Sequence, residues 1–185
     1  MKLDVFKHIH SVPFIERLEA FAPPYLIKAM RGISTLHDVD ARLRHLEPFE
    51  DYCQILSAAN PSIDDWAGPD DTPALARILN DGMAAISRAH PDRFPGYIAS
   101  LPMNNPAAAL VEIDHTVRDG GASGIQIYSN VKGKPLDLPE FEPIFAHGGA
   151  RNAYLAASDP PADLCRLCDR GPFQIRYLVG FRLGL

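Results

Sequence analysis

The sequence predicts an α/β protein made of β/α units on a parallel sheet of four strands. Short, compact apolar runs alternate with longer stretches whose apolar residues recur at helical spacing. The helical stretches are long enough for the right-handed crossovers that join parallel strands. With 46% apolar and 22% charged residues over 185 positions, the chain can also bury the core of one ordinary domain.

Residues 2–9, KLDVFKHI, read as the first strand, with Leu3, Val5 and Ile9 on one face. A helical segment follows from Pro13 and is interrupted at Pro23-Pro24. Ser34 caps a further short helix that ends before Pro48. Tyr52 to Ser57 forms a buried strand, and the Asn60-Pro61 and Gly68-Pro69 pairs mark a loop after it. Thr72 as N-cap and Pro73 in the first turn open a long helix with a stripe of Leu75, Ile78, Leu79, Met83 and Ile86. Gly96 to Leu101 is the third strand. Asn105 and Pro106 open the next helix, striped by Leu110, Ile113 and Val117 and closed by Gly120-Gly121. The fourth strand centres on Ile125 and Ile127, followed by a loop from Asn130 to Leu138. A last helix starts near Pro139 and carries Phe141, Ile144 and Phe145.

Composition narrows the function. A net charge of −5 and a pI near 5.8 argue against a basic nucleic-acid face. No apolar run reaches the roughly 20 residues of a membrane span, and the N-terminus lacks the pattern of a signal peptide. Three cysteines, an odd and sparse set, fit a reducing cytoplasm rather than a disulfide scaffold.

The residues with chemistry to offer are few. His8 and His10 close the first strand two positions apart, hence on one face of it. In a parallel sheet that end faces the mouth where such folds place their sites. The pair reads either as metal ligands or a general base, or as two solvated imidazoles, since two His are not a complete zinc site. Asn130, Lys132 and Lys134 follow the fourth strand at the same mouth and are candidate substrate contacts or a solvated turn. Arg42, Arg44 and His45 read as a charged helix face, with recognition of an acidic substrate as the alternative. Cys165 and Cys168 form one C-x-x-C, with Cys53 and His147 remote in sequence; neither the four-ligand pattern of a zinc knuckle nor the strand–helix context of a redox pair surrounds it. The GGASG run at 120–124 is a helix-to-strand turn, whereas a phosphate cradle needs a following helix.

Several longer stretches resemble the amidohydrolase-related family, most nearly its aminocarboxymuconate-semialdehyde decarboxylase group. They are KLDVFKHIH, LARILNDGMAAI, PDRFPGYIASLPMNNPAAAL and GASGIQIYSNVKGKPLDLPEFEPIF, and the match covers about residues 2–146. The resemblance implies a (β/α)8 TIM barrel, of which this chain carries about the first four β/α units. It also implies a divalent ion, usually zinc, at the C-terminal mouth. The family holds that ion with a His-x-His after strand one, a His after strand five and an Asp after strand eight. On this chain the second His of the motif is His8. The first falls on Phe6, which cannot ligate, and His10 is near but out of register. The implied activity is decarboxylation or hydrolysis of a small, aromatic-derived carboxylic acid. The implied partner is that small molecule; charge and hydropathy argue against nucleic acid and membrane, and the open edges of a partial barrel allow a second copy of the chain as a further partner.

Residues 147–185 form an atypical tail. They contain no Lys and no Glu, and their net charge is +2 against −7 for residues 1–146. Back-translated and read one nucleotide later, residues 146–183 permit a continuation that resembles the family, with a strand-five LLHP in it. The expectation is therefore an out-of-frame tail on the amino-terminal half of a barrel. A catalytically inactive remnant that self-associates through exposed sheet edges is the alternative to an enzyme.

Overall fold

The computed structural model describes residues 2–150 and 154–158. In chain order the elements are β1 (Lys2–His8), α1 (Val12–Leu18), α2 (Pro24–Arg31), α3 (Ser34–His37), α4 (Val39–Leu46), β2 (Tyr52–Ser57), α5 (Ile63–Trp66), α6 (Thr72–Ala89) and β3 (Gly96–Ser100). Then come α7 (Pro106–Ile113), continued by a π-helical stretch (Asp114–Asp119), β4 (Gly124–Tyr128), the two-residue strands β5 (Asn130–Val131) and β6 (Lys134–Pro135), α8 (Glu142–Ala150) and β7 (Tyr154–Ser158).

Five strands, β1-β2-β3-β4-β7, pair in sequence order, and every pairing is parallel. This is the strand succession of a (β/α)8 barrel wall, as the resemblance implies. The expected count of four strands is corrected to five. β7 lies in the stretch read as an atypical tail, where no alternating pattern marks it, and it pairs with β4 from Gly124↔Tyr154 to Tyr128↔Ser158. Residues 151–153 and 159–185 of that tail, with Cys165 and Cys168, lie outside the described residues.

β3 and β4 are buried at every position and read as largely apolar runs, with Gln126 the polar residue inside β4. The helix side of the sheet carries two cores. One gathers Leu56, Tyr97 and Ala99 under Phe14, Ile15 and Leu18 of α1 and Leu75, Leu79 and Met83 of α6. The other packs Leu101, Ile125 and Ile127 against Ala109 and Ile113 of α7 and Ile144 of α8. Gly82 permits the close approach of α1 to α6: a Cβ there would stand 2.5 Å from Ser11 Oγ and 2.6 Å from its Cβ.

Several local expectations shift. The buried stripe of α6 is Thr72, Leu75, Ala76, Leu79, Asn80, Met83 and Ala84, while Ile78 and Ile86 flank it half-buried. Thr72 does not cap that helix; it is fully buried in the first turn and donates to Asn104 Oδ1 at 2.6 Å. The segment expected as one helix from Ser34 is two, because Asp38 breaks it and caps α4 through a bond from Ala41 N–H at 2.9 Å. The loop expected from Asn60 to Pro69 contains α5, capped by Ser62, whose hydroxyl accepts from Asp64 N–H at 3.3 Å. Among the described residues no helix is long and apolar enough to cross a membrane.

Candidate functional site

The carboxyl ends of β1 to β4 converge on one pocket. His10 comes from beyond β1, Ala58 and Ala59 from beyond β2, Ser100 from the end of β3 and Tyr128 from the end of β4. Phe14 and Leu18 of α1, Met30 of α2 and Trp66 of α5 roof it. The enclosed volume is about 10 Å³, the space of roughly one water. Sites of (β/α)8 enzymes are built at this face, from the segments that follow each strand.

His8 ends β1 opposite Ser57, and its Nδ1 lies 3.1 Å from Ser57 Oγ. Ser57 alternates with Leu56, which packs in the helix-side core, so His8 belongs to the face turned away from the helices. Burial lowers the His8 pKa, with a further lowering from the Arg42 charge, and a bond from its ring to the Ala58 backbone opposes this. The imidazole is therefore neutral near pH 7, the state that serves as ligand or base.

His10 is placed differently. It lies past the end of β1, so the alternation expected to put it beside His8 does not reach it. It is 1% exposed, and its Nε2 accepts from Ala59 N–H at 3.0 Å. Burial, and then the neighbouring His8 charge, push its pKa down to about 3. A neutral ring whose Nε2 accepts must carry its proton on Nδ1. That Nδ1 is buried without a hydrogen-bond partner, and so is the indole Nε1 of Trp66 across the same pocket.

Arg42 is neither a solvated residue nor a substrate contact. It is buried and donates through Nε to Thr35 C=O at 2.8 Å, through Nη1 to Gln54 Oε1 at 3.1 Å and through Nη2 to the His8 carbonyl. Arg44 and His45, by contrast, are exposed on α4. Asn130 closes the β5–β6 hairpin by accepting from Gly133 N–H at 2.7 Å, Lys132 takes φ 51° in that turn, and Lys134 pairs with Glu140 at 3.0 Å. None of the three lines the pocket. Cys53 donates to Asp92 C=O, and His147 pairs with Asp114 at 3.0 Å.

A divalent ion needs several donors at one point. Among the described residues no group of three or more His, Cys, Asp or Glu side chains is placed to hold one. His10 has one ring nitrogen committed to Ala59 and the other protonated, which leaves His8 alone of the expected pair. The described residues do not fit a metal centre by themselves.

Asp64 lies on α5, between Ile63 and Trp66 of the pocket lining. It is 3% exposed; its Oδ1 accepts from Asn104 N–H at 3.0 Å and its Oδ2 from Ser62 Oγ–H at 3.0 Å. Burial raises its pKa from 3.8 to about 6, against the opposing effect of those bonds. A carboxyl whose folded pKa lies above its unfolded value stabilises the fold below about pH 4 relative to higher pH, and that contribution is lost as pH rises to 6. Asp64→Asn removes the dependence. Relative to the parent, the variant is expected to gain roughly 2–3 kcal/mol between pH 4 and 7.5 in urea unfolding. A constant difference across that range would show that Asp64 stays ionised.

A family model for amidohydrolases matches residues 8–178. The chain belongs to the amidohydrolase family. Over 112 residues it is 38% identical to the 2-amino-3-carboxymuconate-6-semialdehyde decarboxylase of Dictyostelium discoideum, a stretch covering 60% of this chain and 31% of that protein. The 2,6-dihydroxybenzoate decarboxylase of Rhizobium superposes with a TM-score of 0.67 at 26% identity, over 93% of this chain and 55% of the other. The dihydroxybenzoic acid decarboxylase of Polaromonas sp. JS666, solved with manganese and the inhibitor 2-nitroresorcinol, superposes with a TM-score of 0.68 at 23% identity, over 91% and 52%. The chain thus spans about a third of that curated relative and about half of each solved structure.

Sequence reasoning misses Trp66, Ser100 and Tyr128 at the site. Ser100 and Tyr128 are legible only as strand ends. Trp66 has one signal: it is the single tryptophan of the chain, set in a stretch read as a loop.

Proposed function

We propose that this amidohydrolase-family chain forms the β1–β4 wall of a carboxy-lyase site for a small aromatic carboxylic acid. The observation that carries the reading is a neutral His8 closing β1 at the end of the sheet where the segments after β1 to β4 converge. Support comes from the decarboxylases it resembles. In the reaction the bond from ring carbon to carboxyl breaks, the electron pair stays on the ring carbon, and a proton takes the place of the departing carbon dioxide. His8, neutral and on the face away from the helices, is the residue of this wall suited to hold or move a proton or to serve as a ligand. Tyr128 stays protonated, because burial, then the Asp65 and Asp64 charges, raise its pKa. Zinc in particular has no ligand set among the described residues. The sparse, odd cysteine set supports a cytoplasmic setting.

The test is carbon dioxide release by the full chain from a panel of hydroxybenzoic and aminomuconic-type acids, with and without added manganese or zinc. His8→Ala is expected to lower release by roughly a hundredfold or more with the fold intact by circular dichroism. No release from any acid under any metal condition, or full activity in His8→Ala, would overturn the assignment.

A further inference from the structure

Gln126 reaches from β4 past β3 to the chain that leaves β2, a span that no ladder bond of the sheet requires. It is 1% exposed and stands between Ile125 and Ile127, which pack in the helix-side core. It therefore belongs to the opposite face, with His8 and Ser57. Its amide is committed to Ala58, the first residue beyond β2. Oε1 accepts from Ala58 N–H at 3.1 Å, and Nε2 donates to Ala58 C=O and to Tyr128 Oη, each at 3.3 Å. Turning the amide over would set its N–H groups against Ala58 N–H, so one orientation is fixed. Both backbone groups of Ala58 are thus held by a side chain two strands away.

The same short segment holds His8. Its Nδ1 lies 3.1 Å from the hydroxyl of Ser57, the residue opposite it in register. The bond between its ring and the Ala58 backbone favours the protonated ring, so it is a donation to the Ala58 carbonyl. A neutral imidazole carries one hydrogen, and the acceptor that takes it selects the nitrogen that bears it. The other nitrogen is then the one that binds a proton or a metal. Gln126 fixes where the selecting carbonyl sits.

We propose that Gln126 is a positioning residue for His8: by clamping Ala58 it sets the tautomer and the aim of the imidazole. The clamp stands on the hydrogen bonds, and its consequence for turnover rests on the carboxy-lyase reading.

The test uses the ¹⁵N-labelled full chain at pH 8 without added metal, where His8 is neutral. Long-range ¹H–¹⁵N spectra read the two His8 ring nitrogens, assigned by their loss in His8→Ala. In the parent one tautomer is expected to exceed the other about tenfold or more, the weight of roughly one hydrogen bond. Gln126→Met keeps the length of the side chain and removes its hydrogen bonds to Ala58. With the fold intact by circular dichroism, the variant's tautomer ratio is expected to fall below about threefold. Its kcat for carbon dioxide release is expected to drop about tenfold with KM little changed. A second measurement needs no variant: in the parent, Ala58 N–H should exchange with solvent at least about a hundredfold more slowly than an unbonded loop amide. An unchanged tautomer ratio in folded Gln126→Met, whatever its activity, would overturn the proposal. So would a freely exchanging Ala58 amide, or a changed ratio with unaltered turnover. A chain that releases no carbon dioxide from any acid but shows the tautomer change would remove the carboxy-lyase reading and leave Gln126 as the residue that orients His8.

Discussion

Replacing Asn80 by Leu is expected to remove about 4 kcal/mol of stability, a large part of the roughly 5–15 kcal/mol that holds a typical domain. Asn80 sits on the buried stripe of α6 and is fully enclosed. Its Nδ2 donates to Ser100 C=O and to Glu112 Oε1, each at 2.8 Å, and its Oδ1 accepts from Ser100 N–H at 2.8 Å. One side chain therefore satisfies both backbone groups at the end of β3 and ties them to α7. Leucine matches the volume and offers none of the three bonds. It strands two buried backbone groups and leaves the Glu112 carboxylate to Arg77 Nε, which donates to it at 2.8 Å. Urea unfolding measures the loss. Asn80→Asp separates polarity from donation, since it keeps an acceptor for Ser100 N–H but sets a carboxylate against Glu112. At neutral pH it is expected to be at least as damaging as leucine, with recovery on acidification. A loss below about 1 kcal/mol for Asn80→Leu would mean that Ser100 finds other partners.

The contrast between Asn80 and its neighbours shows what the sequence can reveal. Leu75, Leu79 and Met83 declare a buried face by their spacing, and β2, β3 and β4 stand out as short, largely apolar runs, broken in β2 and β4 by a buried glutamine. Polar residues on those same faces carry no such signal. Asn80, Glu112 and Arg42 look like solvated helix positions until the fold supplies their partners. β1 ends at His8, so the alternation of a strand does not carry on to the residues beyond it. For that reason His8 is readable as a mouth residue, whereas spacing alone does not place His10. The pocket is less legible still. Its walls come from separate segments of the chain, and the protonation of His10 depends on a backbone N–H that spacing cannot locate. The family resemblance supplies the barrel, which periodicity alone leaves as a parallel sheet.

Arg42→Met should cost about 3 kcal/mol and also change His8 itself. The guanidinium reaches from α4 to three acceptors: the Thr35 carbonyl behind it, Gln54 on β2, and the carbonyl of His8 at the end of β1. Methionine keeps most of the stem packing and removes every donor, so the loss isolates the bonds. Lysine restores the charge but has no planar fork to serve three acceptors, and it is expected to recover less than half of the loss. The second readout is the His8 pKa, followed by NMR. The Arg42 charge is one of the causes that depress it, so its removal should move the value upward toward the ordinary 6.5. Arg42→Lys should leave it depressed wherever the ammonium stays near. The two measurements together distinguish a brace from a bystander. A destabilised variant with an unmoved His8 would show that Arg42 only joins α3, α4 and β2. An upward shift would show that the same side chain sets the protonation of His8, the residue of this wall proposed to move a proton.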